Sequence, residues 1–292
     1  MRTSRFTLKL AGGRALELGA RTLVMGIVNV TPDSFADGGL RLDPDRAIAD
    51  ALQMEADGAD ILDIGGESTR PGAEPLPLED EWNRVGPVLE GLRGRVRVPI
   101  SIDTYKAEVA RRALDRGAAI VNDVSALAYD PALAGVVAAH GAGLILMHHR
   151  GRSADMYARA TYGDVAREVA AELSGRAEGA RAAGVPAECL VLDPGLGFAK
   201  RAEHSMQAVA GLPALAALGY PILVGPSRKS FLTAALGPLP PADRVWGTAA
   251  AVAAAILFGA HIVRVHDVRE MVQVARVTDA IVLAMEAQRT AP

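Results

Sequence analysis

Eight short apolar runs are spaced along the chain, and each of them ends in polar or charged residues. Segments with a 3.6-residue apolar period, such as residues 47–54, separate the runs. This pattern predicts alternating strands and helices, with strands near residues 23–28, 60–65, 99–103, 119–122, 143–148, 190–193, 221–225 and 261–265. Parallel strands joined by helices place their carboxyl ends at one end of the sheet. The polar residues that follow the runs are therefore expected to meet at one rim.

The fold class that this pattern favours is α/β, a (β/α)8 barrel in a single domain over residues 1–292. Residues 1–22 alternate in polarity around Ala11-Gly12-Gly13, which predicts a β-hairpin that plugs the barrel floor. A doubly wound sheet is the competing architecture. It would require two of the runs not to be strands, and no GxGxxG turn follows the first run. The one long connection, residues 149–164, joins the fifth strand to its helix.

Composition and charge narrow the class of protein further. Half of the residues are hydrophobic and 4% are aromatic, which suits a parallel sheet buried on both faces. The net charge of −3 gives no general attraction to nucleic acid or to an anionic membrane. The single cysteine, Cys189, is expected to be a buried thiol in a reducing cytoplasm. No export signal is apparent, and the apolar run at 249–260 is too short to span a bilayer.

Three polar residues that end strands share a placement. Asp103, Asn122 and Asp193 each end an apolar run, where a side chain would be partly buried and directed at the barrel mouth. Carboxylates accept from N–H groups and an amide both donates and accepts, so the set suits a flat heterocycle with several exchangeable hydrogens. The alternative is three separate helix caps, with Asp103 capping the helix that starts near Lys106.

A second cluster follows the last two runs. Ser227 and Lys229 come after Gly225, and Arg264 and His266 end the eighth strand. The loops after strands seven and eight form a common phosphate site in such barrels. Three basic side chains at one end of an acidic protein therefore indicate a phosphorylated or pyrophosphorylated substrate.

The loops after the first two runs carry candidate ligand-binding groups. Asn29 begins NVTPDSFADGG, whose oxygen side chains could help to hold Mg²⁺, although an ordinary capped loop is an equal alternative. GGESTRPGAEP offers the hydroxyl of Thr69 and the planar guanidinium of Arg70 for a phosphate or carboxylate. For Glu67 a structural partnership with nearby backbone donors is expected. For His148 and His149, packing and catalysis both stay open.

Taken in order, these segments closely resemble the dihydropteroate synthases of folate biosynthesis. The matching segments are NVTPDSF, DIGGESTRPGA, ISIDT, IVNDVS, LDPGLGF, GPSRKSF and GTAAAVAAAILFGAHIVRVHDV, and together they span about residues 24–268. The resemblance implies condensation of 6-hydroxymethyl-7,8-dihydropterin pyrophosphate with p-aminobenzoate to give 7,8-dihydropteroate and pyrophosphate. It implies that pyrophosphate leaves first, that the amine then attacks a pterin cation, that sulfonamides compete with p-aminobenzoate, and that the enzyme is a homodimer.

The resemblance also implies roles for individual residues. Those implied to hold the pterin are Asp103, Asn122, Asp193 and Lys229. Those implied to hold the pyrophosphate are Asn29, Arg264 and His266, with Mg²⁺ near Asn29. Those implied to shape the p-aminobenzoate pocket are Thr69, Arg70, Pro71, Gly197, Phe198, Ser227 and Lys229, and Met147 and Gly225 complete the substrate-binding set. Those implied to act in catalysis are Asp103, Lys229, Arg264 and His266.

Three positions depart from the family pattern, and none carries an implied role. Ala36 replaces the usual serine, HHRG replaces HMRG or HMQG, and GFAK replaces GFGK. Two other functions compete with the synthase. A methyltetrahydrofolate methyltransferase domain would bind pterin but has no use for a pyrophosphate site. A silent paralogue would be expected to have lost a site residue.

Overall fold

Eight parallel strands form a barrel in the part of the chain that the computed structural model describes, residues 4–31, 43–69 and 72–290. They are β3 (Leu23–Asn29), β4 (Ile61–Gly65), β5 (Ile100–Asp103), β6 (Ile120–Asp123), β7 (Gly143–Met147), β8 (Leu190–Asp193), β9 (Leu223–Val224) and β10 (Ile262–Val265). The order in the sheet is β8-β7-β6-β5-β4-β3-β10-β9, and a parallel bridge between Leu192 and Ile222 closes the ring. The predicted (β/α)8 fold is confirmed. The seventh strand is shorter than predicted, since Pro221 and Pro226 on either side cannot donate to the ladder.

The N-terminal hairpin is formed by β1 (Phe6–Lys9) and β2 (Ala15–Leu18), which pair antiparallel. Gly12 turns the chain between them with a φ of 73°, a conformation that glycine adopts without strain. The buried side chains of Leu8, Leu10 and Leu18 pack into one cluster with inward residues of the barrel strands. The hairpin therefore plugs the barrel floor, as its sequence predicts.

Ten α-helices lie in the described ranges, most of them on the outer face of the barrel. They are α1 (Pro44–Ala56), α2 (Leu78–Leu92), α3 (Ala107–Leu114), α4 (Leu133–His140), α5 (Val165–Ala182), α6 (Ala202–Ala210), α7 (Leu212–Ala216), α8 (Thr233–Leu236), α9 (Val245–Leu257) and α10 (Val268–Thr290). Asp43 caps α1 by accepting from the backbone N–H of Asp45 at 3.0 Å, and Pro44 occupies the first helical position. None of the helices within these ranges is long and apolar enough to cross a membrane.

The inward side chains of the barrel lie in two layers with different chemistry. The lower layer is apolar, packs on the hairpin and includes Met25, Ile61, Ile120, Ile145, Val191, Leu223 and Ile262. Residues two positions further along a strand point to the same side. The upper layer therefore contains Asp63, Asn122, Met147, Asp193, Gly225 and Arg264. Successive inward positions of a strand thus change from apolar in the lower layer to mostly polar in the upper layer. The polar groups therefore lie at the barrel mouth.

Candidate active site

A partly buried ion-pair network occupies the mouth of the barrel. Arg264 donates from Nε to Asp63 Oδ2 at 2.6 Å and from Nη2 to Asp103 Oδ2 at 2.7 Å. Asn122 donates from Nδ2 to the same oxygen of Asp63 at 3.0 Å. The structure thus brings together three of the predicted site residues, Asp103, Asn122 and Arg264, around a carboxylate that the sequence analysis did not single out.

Asp63 is that carboxylate, and it is fully buried in the middle of β4. Its Oδ1 atom has no hydrogen-bond partner within the described ranges. Its signal in the sequence is a charged residue inside the apolar run ILDIG, two positions after the inward Ile61. A buried charge requires a partner, so such a residue predicts an interaction with a cation from another strand.

Asp103 points into this network and does not cap the following helix, so the helix-cap alternative is wrong for it. The N-cap of α3 is Lys106, and the backbone N–H of Lys106 bonds instead to Thr104 Oγ1 at 3.2 Å. Burial raises the pKa of Asp103 to about 7, although the neighbouring Arg264 cation opposes the shift. This carboxyl group therefore titrates near neutral pH.

Lys229 and Asp193 form the second charged part of the mouth. Burial lowers the pKa of Lys229 to about 8, and the charge of Asp193 acts against that shift. Burial also raises the pKa of Asp193, which accepts from the backbone N–H of Gly195 at 2.7 Å. The ammonium of Lys229 donates to the carbonyl of Leu196 and lies 4.7 Å from the centre of the Phe198 ring. The predicted pocket residues Phe198 and Lys229 are therefore in direct contact.

His266 connects the loops that follow β3, β9 and β10. The backbone N–H of His266 donates to Ser227 Oγ at 3.1 Å, and that hydroxyl lies 2.9 Å from the ring Nδ1. The Asn29 amide lies 3.4 Å from the ring Nε2 on the other side. Three residues predicted to bind the pyrophosphate, its metal or p-aminobenzoate thus meet at one edge of the mouth.

The loop that follows β4 is held by two neighbouring segments. Ser153, in the long 149–164 connection, donates from Oγ to the carbonyl of Thr69 at 3.5 Å. Its backbone carbonyl accepts from the N–H of Gly72 at 3.1 Å. Glu67 accepts from the Tyr105 hydroxyl at 2.7 Å and pairs with Lys106. Glu67 is therefore a structural partner as expected, but of side chains rather than of backbone donors. The predicted site residues Arg70 and Pro71 lie outside the described residues, and so does the 32–42 segment with Ala36.

His148 and His149 take different positions beside the mouth. His148 is buried and its Nε2 atom lies 3.1 Å from Glu172, which favours the packed, hydrogen-bonded interpretation. The ring of His149 lies 5.9 Å from that of Phe198 and 6.1 Å from that of Tyr129. Burial lowers the pKa of both histidines to about 4, so both rings are neutral at physiological pH.

A cavity of about 700 Å³ lies beside the mouth and not on the barrel axis. Its wall contains Tyr129, His149 and the arginines of the 149–164 connection. His149 lines this cavity, and its ring lies 5.9 Å from that of Phe198. The chemistry of the mouth itself resides in the inward layer of strand residues.

The geometry defines a class of protein before any comparison is made. A closed parallel barrel carries acidic side chains, an amide, an arginine and a lysine at the carboxyl ends of its strands. Enzymes with the (β/α)8 fold have their active sites at this end of the barrel. The shifted pKa values of Asp103 and Lys229 mark the same place as a functional site.

Comparison with known proteins specifies the family. The sequence matches the pterin-binding enzymes over residues 25–266. A dihydropteroate synthase of Synechocystis is 48% identical over 92% of this chain and 93% of its own length. The structure of the Xanthomonas albilineans dihydropteroate synthase with 4-aminobenzoic acid matches with a TM-score of 0.86 and 42% identity, over 98% of this chain and 100% of that one. The Yersinia pestis dihydropteroate synthase in a sulfonamide drug complex matches with a TM-score of 0.87 and 40% identity, over 96% and 98%.

The chain therefore belongs to the pterin-binding enzyme family, and within it to the dihydropteroate synthases. The methyltransferase alternative has no counterpart among these three relatives. Each predicted site residue that lies in the described ranges is placed at the mouth or in the loops around it.

Proposed function

We propose that this protein condenses 6-hydroxymethyl-7,8-dihydropterin pyrophosphate with p-aminobenzoate to give 7,8-dihydropteroate and pyrophosphate. The observation that carries the proposal is the set of Asp103, Asn122 and Arg264 around the buried Asp63, with Asp193 and Lys229 beside it. Carboxylates and an amide at one depth match the N–H and carbonyl edge of a pterin. The relatives with p-aminobenzoate and with a sulfonamide drug support the second substrate and its competitors.

The reaction on this proposal separates charge across the mouth. The C–O bond to pyrophosphate breaks first, its electron pair leaves with the pyrophosphate, and the pterin methylene carbon becomes electron-poor. Asp103 and Asp193, as carboxylates, stabilise the positive pterin, and preorganised charge of this kind needs no rearrangement during the reaction. The amine of p-aminobenzoate then attacks the methylene carbon and loses a proton.

The cationic groups of the mouth act on the leaving group. Arg264 uses Nε and Nη2 for the two aspartates, which leaves Nη1 without an acceptor within the described ranges. His266 and Ser227 lie at the same edge. We assign Nη1 of Arg264, His266 and Asn29 to the pyrophosphate, and we assign Phe198 and Lys229 to the wall that receives p-aminobenzoate.

We further propose Mg²⁺ as the cofactor, bound chiefly through the substrate. Among the described residues no group of three carboxylate, histidine or cysteine side chains is arranged to hold a metal ion. Asn29 supplies an amide oxygen at the pyrophosphate edge, and this donor set fits a cation that takes most of its ligands from phosphate and water. When bound, Mg²⁺ would neutralise charge that develops on the leaving pyrophosphate.

The test is product formation from the two substrates, with and without Mg²⁺. We expect dihydropteroate only with Mg²⁺, and a loss of at least about 10²-fold in rate in Lys229→Ala and Asp103→Ala, as for removal of one preorganised electrostatic group. Lys9→Ala, at the barrel floor, is the matched control and should retain the rate. A folded wild-type protein that binds the pterin but forms no product would instead establish a silent paralogue. Product formation without Mg²⁺ would refute the proposed cofactor and leave the proposed reaction standing.

We also propose that the enzyme is a cytoplasmic homodimer and that α10 contributes the interface. Val277, Ile281 and Met285 are spaced by four residues and expose 63%, 50% and 49% of their surface. Residues with this spacing form one continuous stripe on a helix. The small-residue helix α9 buries Val252 and Ile256 inside the subunit, so the stripe on α10 is the better candidate for contact with a second copy.

A further inference from the structure

Lys200 is a buried lysine just behind the mouth, and its side chain is only 1% exposed. It follows Phe198 and Ala199 in the loop between β8 and α6. A buried ammonium group is strongly unfavourable unless it is fully hydrogen-bonded. The surroundings of Lys200 therefore show what the side chain is built to hold.

The ammonium group has three acceptors, which matches its three N–H bonds. They are His148 Nδ1 at 2.7 Å, the carbonyl of Gly195 at 3.2 Å and the carbonyl of Phe198 at 3.2 Å. Two of these acceptors belong to the loop that forms the wall around Lys229. The loop is pressed close to β7, because a Cβ atom on Gly195 would lie 2.0 Å from the carbonyl oxygen of His148.

The contacts continue from Lys200 to the surface helix α5. Because Nδ1 of His148 accepts from Lys200, the ring proton lies on Nε2 and is donated to Glu172 at 3.1 Å. Glu172 also pairs with Arg150. A chain of Glu172, His148 and Lys200 thus joins the outside of the barrel to the loop of Phe198.

On the far side, the same loop receives Lys229. The ammonium of Lys229 donates to the carbonyl of Leu196 and lies against the Phe198 ring, 4.7 Å from its centre. The backbone of residues 195–198 therefore lies between two lysines, one that supports it from behind and one that faces the substrates.

We propose that Lys200, held by His148 and Glu172, is a positioning residue that sets the p-aminobenzoate wall by fixing the backbone of residues 195–198. The inference rests on the proposed function of this mouth. Its mark is a larger effect on p-aminobenzoate than on the pterin substrate. Of the residues assigned to the pterin, Asp103 and Asn122 lie on β5 and β6 and bond to Arg264 and Asp63. Asp193 and Lys229 each bond to a single backbone group of the loop, the N–H of Gly195 and the carbonyl of Leu196.

The support depends on the charge of Lys200. Burial lowers the pKa of Lys200 to about 7, with Asp193 and Glu172 acting to raise it and Lys229 and Arg150 acting to lower it. A neutral amine has two N–H bonds for three acceptors, so the loop loses one contact as the pH rises through about 7. The Michaelis constant for p-aminobenzoate is therefore expected to rise across this range.

The experiment measures both Michaelis constants and kcat in Lys200→Met, Glu172→Ala and the control Glu178→Ala, from pH 6 to 8.5. Glu178 lies on the same helix and accepts from the Ser174 hydroxyl at 3.3 Å. Lys200→Met should raise the Michaelis constant for p-aminobenzoate about tenfold, as for loss of one hydrogen bond to a charged group, while that for the pterin substrate stays within about twofold. In Lys200→Met the Michaelis constant for p-aminobenzoate should no longer rise near pH 7. The loss of activity near pH 8 that follows from deprotonation of Lys229 should remain. Glu172→Ala should give a smaller increase of the same kind, and Glu178→Ala none.

Two results would overturn the inference. One is an equal loss for both substrates or in kcat alone, and the other is an unchanged p-aminobenzoate constant in Lys200→Met. If Lys200→Met does not fold, Glu172→Ala is compared with Glu178→Ala, because both residues lie on the surface. Equal Michaelis constants for p-aminobenzoate in these two variants would also refute the inference. The wild-type assay comes first, so that absence of product in the wild type identifies a failure of the proposed function rather than of this role.

Discussion

The mouth combines carboxyl groups, which are charged only above their pKa, with a lysine, which is charged only below its pKa. In the proposed reaction Asp103 acts as a carboxylate, and burial raises its pKa to about 7. In the same proposal Lys229 acts as an ammonium, and burial lowers its pKa to about 8. Both shifts arise because the inward layer is shielded from water, so each charged form is held by its partners rather than by solvent.

The pH dependence of kcat/KM for the pterin substrate follows from these two groups. At saturating p-aminobenzoate we expect a bell-shaped profile that falls below about pH 7, where Asp103 is protonated, and above about pH 8, where Lys229 loses its charge. His148 and His149 contribute neither limb, because both have pKa values of about 4. The residual activity of Asp103→Asn should lack the acid limb, and a flat wild-type profile between pH 6 and 7 would contradict the assignment.

The same shift of Asp103 affects stability with a defined sign. Because the pKa of this carboxyl is higher in the folded protein than its ordinary value, folding favours the protonated form. Its contribution to stability is complete below about pH 4 and is lost as the pH rises to about 7. The site thus requires at neutral pH a charge that the fold by itself disfavours.

At the scale of elements, the barrel depends on segments that are distant from its chemistry. The hairpin of β1 and β2 fills the floor with Leu8, Leu10 and Leu18, below the polar layer. On most strands two inward positions separate the functions, since the lower one packs in the core and the upper one lies at the mouth. A change in the floor is therefore expected to alter stability without altering the chemistry.

Leu8→Ala tests this separation. Leu8 is 1% exposed, and its truncation should lower the free energy of unfolding by about 2–5 kcal/mol through lost burial and a cavity. Urea unfolding measures the loss, and Thr7→Ala, on the exposed face of the same strand, should change it by less than about 0.5 kcal/mol. The folded Leu8→Ala enzyme should retain the wild-type kcat. A parallel loss of kcat would show that the floor and the mouth are coupled.

At the scale of the whole molecule, an apolar stripe is exposed on the described surface. The stripe lies on α10, at Val277, Ile281 and Met285, and Trp246 and Leu257 of α9 are exposed as well. Large exposed apolar side chains on a regular helical face are typical of contacts between subunits.

Light scattering should give a mass twice the 30.4 kDa of one chain. A glutamate in the stripe, Ile281→Glu, should shift the mass toward one chain, because a buried unpaired charge is strongly unfavourable at an interface. Gln207→Glu, which adds the same charge on the exposed face of α6, serves as the control and should remain dimeric. A monomeric wild type at micromolar concentration would refute the interface.

Local pattern was sufficient for the barrel and for most of the residues around its mouth. A strand places every second side chain on one face, and parallel strands end at one rim, so the pattern predicts Asp103, Asn122, Asp193 and Arg264 near the mouth. It left helix capping open as an alternative for the first three. The order of the seven motifs along the chain then indicated the family. Glu67 was also correctly predicted to be structural, although its partners were not.

Contacts between distant parts of the chain required the tertiary structure. Asp63 and Arg264 are 201 residues apart and meet only because the last strand pairs with the first, β10 with β3. Lys200 and His148 are 52 residues apart and meet because β8 pairs with β7. The charge state of each group depends on how much water its neighbours exclude, which no single strand determines. The sequence by itself therefore determined which chemical groups reach the mouth, and only the closed barrel decided which of them pair, which are buried and at what pH they are charged.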